Sequence, residues 1–276
     1  MGRSVKSLAL LILAGLLTLP GCSKLQARDE LNKGVRAFKV AAFEESVEHF
    51  KRATELDPDF INARLYLATA YAAQFFRAPS EENRKMAEAA IEEYQKVLQV
   101  DSRNVTALAY IAQLNFGMAG TVAATTSKWN ETRDLFLKSK EYRQRLIEVE
   151  PQNPEHYYSV GVIDWTLTYR PRMQLRSDLK LPKPETPIPA KNRRELADQN
   201  APLVEEGITV LTKAIEINPK YLDAIAYLNL MYREKADLAE TPRERDQLLQ
   251  QADDWHERYQ KLRQELQQAP APAPSS

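Results

Sequence analysis

The chain has 276 residues with 38 basic and 38 acidic side chains, so its formal net charge is zero. This balance excludes a broad electrostatic attraction for nucleic acid. Hydrophobic residues make up 43% of the chain and glycines number only eight, while the abundant alanine, leucine, glutamate, lysine, arginine and glutamine favour helix. Because almost no segment alternates between apolar and polar residues as a strand does, the composition predicts an all-α protein.

The N-terminal segment has the pattern of an export signal. Residues 1–7 carry Arg3 and Lys6 and no acid, and residues 8–19 are almost wholly apolar. This apolar run is too short for a bilayer-spanning helix, which needs about 20 residues. A charged start, a short apolar core and a small-residue exit therefore predict a signal peptide over residues 1–21.

The exit of this segment is Leu19-Pro20-Gly21-Cys22, and Cys22 is the only cysteine of the chain. The four residues resemble the lipobox of bacterial lipoproteins, in which the cysteine is acylated and becomes the new N-terminus. The resemblance implies covalent lipid, palmitate included, on Cys22, and several acyl chains would anchor the protein because each buried methylene contributes about 0.8 kcal/mol. An inert thiol that follows an ordinary cleaved signal is the alternative.

The same resemblance indicates a location. In diderm bacteria an aspartate after the lipidated cysteine retains a lipoprotein at the inner membrane, and this chain has Ser23 there. The resemblance therefore implies a protein of the bacterial cell envelope, lipid-anchored at the outer membrane and facing the periplasm. Residues 22–28 are expected to form the lipidated N-terminus and a short tether.

Four segments share one pattern, an amphipathic helix that stops at proline or serine. They are HFKRATELDP (49–58), EYQKVLQVDS (93–102), YRQRLIEVEP (142–151) and VLTKAIEINP (210–219). Proline cannot continue a helix and biases the preceding residue towards extended geometry. A second helical pattern begins within a few residues of each stop, so each stop predicts the turn between two helices.

This pattern resembles the tetratricopeptide repeat (TPR), a helix–turn–helix unit of about 34 residues. The first unit matches best: Gly34 allows close helix approach, Phe50 and Ala53 face the first helix, and Pro58 ends the unit. The stops are 44, 49 and 68 residues apart, so three units carry insertions. The resemblance implies an α-solenoid of about five units over residues 29–267.

The largest insertion, residues 166–200, is rich in proline and in basic residues. Its five prolines are Pro171, Pro182, Pro184, Pro187 and Pro189. They predict an irregular segment, because proline breaks a helix interior. Arg170, Arg172 and Arg176 are candidate binding residues in a lid over the concave face or in a clamp on an acidic or phosphate-bearing partner. A solvated surface loop is an equal alternative.

The last helical pattern begins with a capping box, Thr241-Pro242-Arg243-Glu244. Apolar residues then recur at steps of three and four from Leu248 to Leu266, which predicts a C-terminal capping helix with one wet face. The same spacing permits a coiled-coil dimer. Residues 268–276 are rich in proline and alanine and are expected to be disordered.

No constellation typical of catalysis is present in the sequence. The three histidines lie far apart, and neither an HExxH motif nor a glycine-rich phosphate loop occurs. The sequence therefore predicts no enzyme, no metal site, and no cofactor besides the covalent lipid.

In TPR proteins the first helix of each unit lines a groove, and binding side chains project from it. The resemblance assigns six residues to the groove: Asn62, Gln113, Phe116, Tyr158, Trp165 and Arg233. Aromatic and arginine anchors are typical of binding hot spots, which favours Tyr158 and Trp165 just before the large insertion. The alternative is that these two rings pack under the insertion.

The leading interpretation is a non-enzymatic, membrane-anchored scaffold or assembly factor that binds a protein or peptide in the cell envelope. The first alternative is a periplasmic carrier or sensor of a small ligand or cell-wall fragment, with residues 166–200 as its lid. The second is an accessory subunit of an enzyme.

Overall fold

The computed structural model describes residues 20–122, 128–183 and 186–268, and this part of the chain contains ten α-helices and no strand. The helices are α1 (Pro20–Lys39), α2 (Phe43–Leu56), α3 (Ile61–Arg77), α4 (Arg84–Val100), α5 (Val105–Val122), α6 (Trp129–Val149), α7 (Pro154–Asp178), α8 (Ala190–Ile217), α9 (Leu222–Leu238) and α10 (Pro242–Gln268). The predicted all-α class is confirmed.

The helices end where the repeated stops predict. Helices α2, α4, α6 and α8 each end two residues before the terminal proline or serine of their segment. In each case the next helix begins five residues after the preceding helix ends, because the chain needs only a short turn to reverse. Helix α1 packs on α2, α3 on α4, α7 on α8 and α9 on α10, so the elements form consecutive helical hairpins.

The first compact unit extends to Tyr110, and its described part contains α1 to α4. Phe50 and Ala53 are fully buried, as the repeat pattern predicts. A Cβ atom added to Gly34 would lie 2.5 Å from Cε1 of Phe50. Glycine at this position therefore lets α1 and α2 approach closely.

The second compact unit begins at Ile111 and contains most of α5 and helices α6 to α10. Its main core joins α8 and α9 through Leu211, Ile225, Leu228 and Met231, all fully buried. Gly161 of α7 faces this core, and a Cβ atom there would lie 2.5 Å from Cγ of Leu211. A glycine therefore allows close approach of α7 and α8, as Gly34 does for α1 and α2.

Helix α5 is long and apolar enough to cross a membrane by length and composition alone, with a mean hydropathy of 1.2 over 18 residues. Half of it is buried inside the protein. Leu108, Ile111 and Leu114 are fully buried, which is also what a core helix of a soluble hairpin shows.

The N-terminal tether is a correction. Residues 22–28 were predicted to form the lipidated N-terminus and a short tether before a solenoid that starts at residue 29, but helix α1 begins at Pro20, so they are helical. Ala27 is fully buried. Its neighbours Leu25, Gln26 and Arg28 are good helix formers. Residues 1–19 of the predicted signal peptide lie outside the described residues.

The irregular insertion over residues 166–200 is also a correction. Helix α7 continues through Pro171 to Asp178 and α8 begins at Ala190, and between them the described residues 179–183 and 186–189 are non-helical. Next to the proline, the side-chain amide of Asn200 on α8 donates to the carbonyl of Thr168 at 3.0 Å, which ties α7 to α8. Much of the extra sequence therefore lengthens α7 and α8 instead of forming a loop.

The C-terminal helix is capped at its start as the sequence predicts. The backbone N–H of Glu244 donates to Oγ1 of Thr241 at 3.1 Å, and the Glu244 carboxylate accepts from the N–H of Glu240 at 3.0 Å. Leu248 and Leu262 are buried, and Leu266 is exposed. The apolar stripe of α10 thus packs mainly on its own chain. Gln268, the first residue of the predicted tail, is the last residue of α10. Residues 269–276 lie outside the described part.

Candidate functional site

Tyr158 and Trp165 of α7 belong to a row of aromatic rings in the second compact unit. The ring of Tyr227 on α9 lies edge-on to both, with centroid distances of 5.7 Å to Tyr158 and 5.3 Å to Trp165. Tyr221 lies 5.0 Å from Tyr158, and Tyr169 lies 4.7 Å from Trp165. These five rings, here called the aromatic row, are only partly covered. The two predicted rings thus pack against α9.

Phe116 and Tyr158 line one cavity of about 190 Å³ with side chains from α6 and α7. Phe116 is 40% exposed, and its ring meets the edge of Phe136 at 5.3 Å. Ser139 and Arg143 of α6 complete the polar side of this cavity, here called the aromatic pocket. The structure therefore brings together, in one cavity, two residues that were predicted to lie in the groove and are 42 positions apart in the sequence.

Arg143 gives the aromatic pocket a positive charge. Among the described residues its guanidinium makes no hydrogen bond and no ion pair within 4 Å. Burial lowers the pKa of Arg143, and the negative charge of Glu155 opposes that shift from a longer distance. A partly desolvated cation without a direct partner favours an anionic group as its neighbour. Sequence reasoning missed Arg143 because it considered only the first helix of each unit.

A second and larger cavity, of about 780 Å³, lies at the C-terminal end of α7. We call it the arginine pocket, because Arg172, Arg176, Arg233 and Arg245 all line it. Two of these belong to the predicted insertion set and Arg233 to the predicted groove set. The sequence treated the two sets as separate, and it missed Arg245.

A network of ion pairs joins the arginine pocket to α9. Nη1 of Arg172 donates to Oδ2 of Asp237 at 2.8 Å, and Nη1 of Arg176 donates to the same oxygen at 3.3 Å. Arg245 lies 3.8 Å from the other oxygen of Asp237. Arg176 is only 4% exposed. Arg172 and Arg176 are therefore largely buried, and the solvated-loop alternative does not describe these two residues, whereas Lys180 and Lys183 are exposed.

Glu234 is the second acid beneath this pocket. It is 2% exposed, and Nε of Arg172 lies 2.8 Å from its Oε2. The N–H of Arg172 does not point at that oxygen, so the ion pair lacks a directed hydrogen bond. Burial raises the pKa of Glu234 to about 7, although Arg172 opposes the shift.

The remaining predicted residues line neither pocket. The guanidinium of Arg170 lies 4.7 Å over the ring of Trp129. Asn62 is exposed on α3 in the first compact unit, and Gln113 is exposed on α5. Cys22 is exposed on α1.

A buried ion pair joins Lys140 to Asp164 on α7, the helix that carries Tyr158 and Trp165. Nζ of Lys140 on α6 lies 2.5 Å from Oδ1 of Asp164 on α7 and 2.8 Å from Oε2 of Glu206 on α8. Asp164 is fully buried. Burial raises the pKa of Asp164 to about 7, because the loss of hydration outweighs the attraction of Lys140. Lys140 and the two carboxylates therefore link α6, α7 and α8.

The described part of the chain holds no group of three histidine, cysteine, aspartate or glutamate side chains placed to ligate a metal. The described helices form consecutive helical hairpins. This is the all-α solenoid fold of the TPR type.

Solved structures share this fold. The chain is similar to the crystal structure of the MamA protein, with 14% sequence identity and a TM-score of 0.53, and the match covers 90% of this chain and 98% of that one. MamA residues 41 to the end, from Desulfovibrio magneticus RS-1, match at 13% identity and a TM-score of 0.50, covering 87% and 96% of the two chains. At such identities the likeness shows the fold alone. No family model matches the sequence, and no curated protein matches it.

Proposed function

We propose that this protein is a non-enzymatic scaffold that binds a protein or peptide segment along the aromatic row and the aromatic pocket. The observation that carries the proposal is the grouping of Phe116, Tyr158 and Arg143 around one open cavity. Aromatic side chains and arginine dominate the energetic centres of protein interfaces. The helices beneath them are rigidly packed, so the surface is preorganised and loses little entropy on binding.

We also propose that Cys22 carries the lipid anchor, which would hold the scaffold at the bacterial outer membrane on its periplasmic side. The lipobox-like sequence supports this, as does the exposure of Cys22 on α1. The anchor keeps the scaffold near membrane partners, which raises its effective concentration there.

Site-specific photo-crosslinking in cells tests the scaffold proposal. A photoreactive phenylalanine at position 116 should give one dominant crosslinked partner, which mass spectrometry identifies. The matched control places the same group at Leu266, which is 43% exposed on α10. Tyr158→Ala should reduce the crosslink from position 116. Equal adducts from positions 116 and 266 would contradict the proposal.

Metabolic labelling with an alkyne analogue of palmitate tests the anchor. The label should appear on the wild-type protein and be lost in Cys22→Ala, which should also leave the membrane fraction. An intact mass that shows an unmodified Cys22 in membrane-bound protein would refute lipidation.

The second candidate function is a carrier or sensor of a small ligand. The arginine pocket favours it, because its volume of about 780 Å³ lies within the range of small-molecule sites, about 300–1,000 Å³.

A further inference from the structure

We infer that the aromatic row binds a proline-rich segment of a partner protein in the extended polyproline II (PPII) conformation. This assignment rests on the scaffold proposal and specifies the class of segment that the proposed surface takes. Three features of the row favour it: the free polar atoms of its rings, the angles between neighbouring rings and the spacing of the rings along α7.

Three rings of the row carry a polar atom that has no partner within the described part of the chain. The hydroxyls of Tyr158 and Tyr227 and the indole N–H of Trp165 make no hydrogen bond to any described residue. All three residues are half-buried, yet none of these atoms is sealed from solvent. Each of the three is therefore accessible to a ligand.

These polar atoms are hydrogen-bond donors at neutral pH. Burial raises the pKa of Tyr158 to about 12, and the negative charge of Asp223 acts in the same direction. Burial also raises the pKa of Tyr227, so both hydroxyls keep their protons. The indole N–H of Trp165 is a donor only. The row therefore suits a ligand that supplies acceptors.

A proline-rich segment supplies acceptors without needing any. The PPII helix has no internal hydrogen bonds, so its carbonyl oxygens are free, and proline has no N–H that requires an acceptor. The carbonyls of an α-helical partner are already paired within the helix, so a helix would leave the three donors unmatched. A partner strand requires acceptors as well as donors at a strand edge, and the described part of this chain contains no strand.

The angles between the rings favour pyrrolidine rings over sugar rings. Tyr227 is inclined at 79° to Tyr158 and at 86° to Trp165. Neighbouring faces are therefore nearly perpendicular, and they form clefts rather than one flat platform. A sugar chain that stacks along several rings requires roughly parallel faces. Aromatic-lined grooves are the usual sites for PPII segments in peptide-binding domains.

The spacing of the rings along α7 is close to the repeat of a PPII helix. Tyr158 and Trp165 are seven residues apart, which corresponds to about 10.5 Å along an α-helix. A PPII helix advances about 9.3 Å in each turn of three residues. Tyr227 contacts both rings, with centroid distances of 5.7 Å and 5.3 Å. Prolines one turn apart therefore fit the clefts on the two sides of Tyr227.

Titration calorimetry with the full chain carrying Cys22→Ala tests this assignment. The probes are acetylated octapeptide amides of L-proline, of D-proline and of alternating glycine and serine. The D-proline peptide has the same composition as the L-proline peptide but forms a helix of the opposite hand. We expect saturable binding of the L-proline peptide, with an affinity at least about tenfold above that of the other two. Equal affinity for the D-proline peptide would overturn recognition of the PPII conformation, and equal affinity for the glycine–serine peptide would overturn recognition of proline.

A second titration uses a chain that ends at Gln268. Residues 269–276 contain three prolines, and their removal prevents them from competing with the probe. Tighter binding of the tetramer of N-acetylglucosamine than of the L-proline peptide would assign the row to a glycan and overturn the inference.

The same titrations separate this assignment from the scaffold proposal. The L-proline peptide could bind neither chain while the double variant Phe116→Ala, Tyr158→Ala still loses affinity for the crosslinked partner. In that case the proline assignment fails and the scaffold proposal stands. If the double variant also keeps its affinity for the partner, both fail.

Tyr227→Phe locates the site, because it keeps the ring and removes only the free hydroxyl. It should weaken binding of the L-proline peptide about three- to tenfold, the effect of one hydrogen bond. Its melting temperature should stay within about 2 °C of the wild type, since the hydroxyl bonds no described residue. The matched control is Tyr66→Phe on α3, where Tyr66 is 43% exposed, and it should leave the affinity unchanged.

Two results would overturn this location. Equal affinities of Tyr227→Phe and Tyr66→Phe for the L-proline peptide would mean that the Tyr227 hydroxyl contacts no ligand. A loss of affinity in Tyr227→Phe that comes with a clearly lower melting temperature would assign that hydroxyl a structural role instead.

Discussion

Gly161→Ala tests the close packing of α7 against α8 on which the aromatic row depends. The new Cβ atom would lie 2.5 Å from Cγ of Leu211, 2.7 Å from Cδ2 and 3.0 Å from Cδ1. Leu211 is fully buried, so it cannot move aside without displacing its neighbours. The substitution therefore forces an overpacked contact.

The expected magnitude follows from two opposing effects. Overpacking of a core costs about 1–3 kcal/mol, and alanine gains about 0.5–1 kcal/mol over glycine in a helix interior. We expect a net destabilisation of about 1–2 kcal/mol, which lowers the melting temperature by about 2–8 °C for a chain of this size.

The assay is thermal and urea unfolding followed by circular dichroism, and Gly120→Ala is the matched control. No atom lies within 4 Å of a Cβ added at Gly120, which is exposed on α5. This control should gain stability by about 0.5–1 kcal/mol. If Gly161→Ala were as stable as Gly120→Ala, the inferred contact between α7 and α8 would be wrong.

Three further predictions concern charge. The pKa values of Asp164 and Glu234 are about 7 in the folded protein and lower in the unfolded chain. The folded state therefore holds more protons between about pH 4 and pH 7, so the free energy of unfolding should decline as the pH rises through this range. Urea titrations across this range check it. Lys140→Met should destabilise the protein by about 3–5 kcal/mol at pH 8 and by less at pH 5, where Asp164 can remain protonated. Arg143→Met should raise the melting temperature while it weakens the crosslink from position 116, because it removes an unpaired charge that only a partner compensates.

Each of these has a discriminating control. Combining Asp164→Asn with Glu234→Gln should remove the decline with pH, and a slope unchanged in the double variant would assign it to other groups. A loss for Lys140→Met that is the same at pH 5 and pH 8 would mean that Asp164 does not take up the proton. If Arg143→Met lowers both the melting temperature and the crosslink yield, Arg143 is a structural residue.

The helix boundaries could be predicted because the signals are local. Pro58, Pro151 and Pro219 forbid continuation, and the capping box at Thr241 needs only residues within one turn. These effects act within a few residues of the position that they control, so they are readable in the sequence.

The course of α7 could not be predicted, because it depends on residues distant in the chain. Pro171 taken alone predicts a break, but Asn200 bonds the carbonyl of Thr168, and Asp237 holds the two arginines that follow the proline. Tertiary contacts therefore override the local preference.

The arginine pocket could not be predicted from the sequence for the same reason. Its charges come from α7, α9 and α10, and only the packing of these helices places Arg245 near Asp237. In the aromatic pocket, Phe116 and Tyr158 could be assigned from the repeat pattern. Arg143 could not, because it lies on a second helix.

The most direct test of the scaffold is the affinity of the crosslinked partner for the double variant Phe116→Ala, Tyr158→Ala, compared with the wild type. Circular dichroism must first show that the double variant is folded. We expect at least about a 30-fold loss of affinity, since a hot spot contributes about 2 kcal/mol or more. An affinity within about twofold of the wild type would contradict the claim that this surface binds the partner.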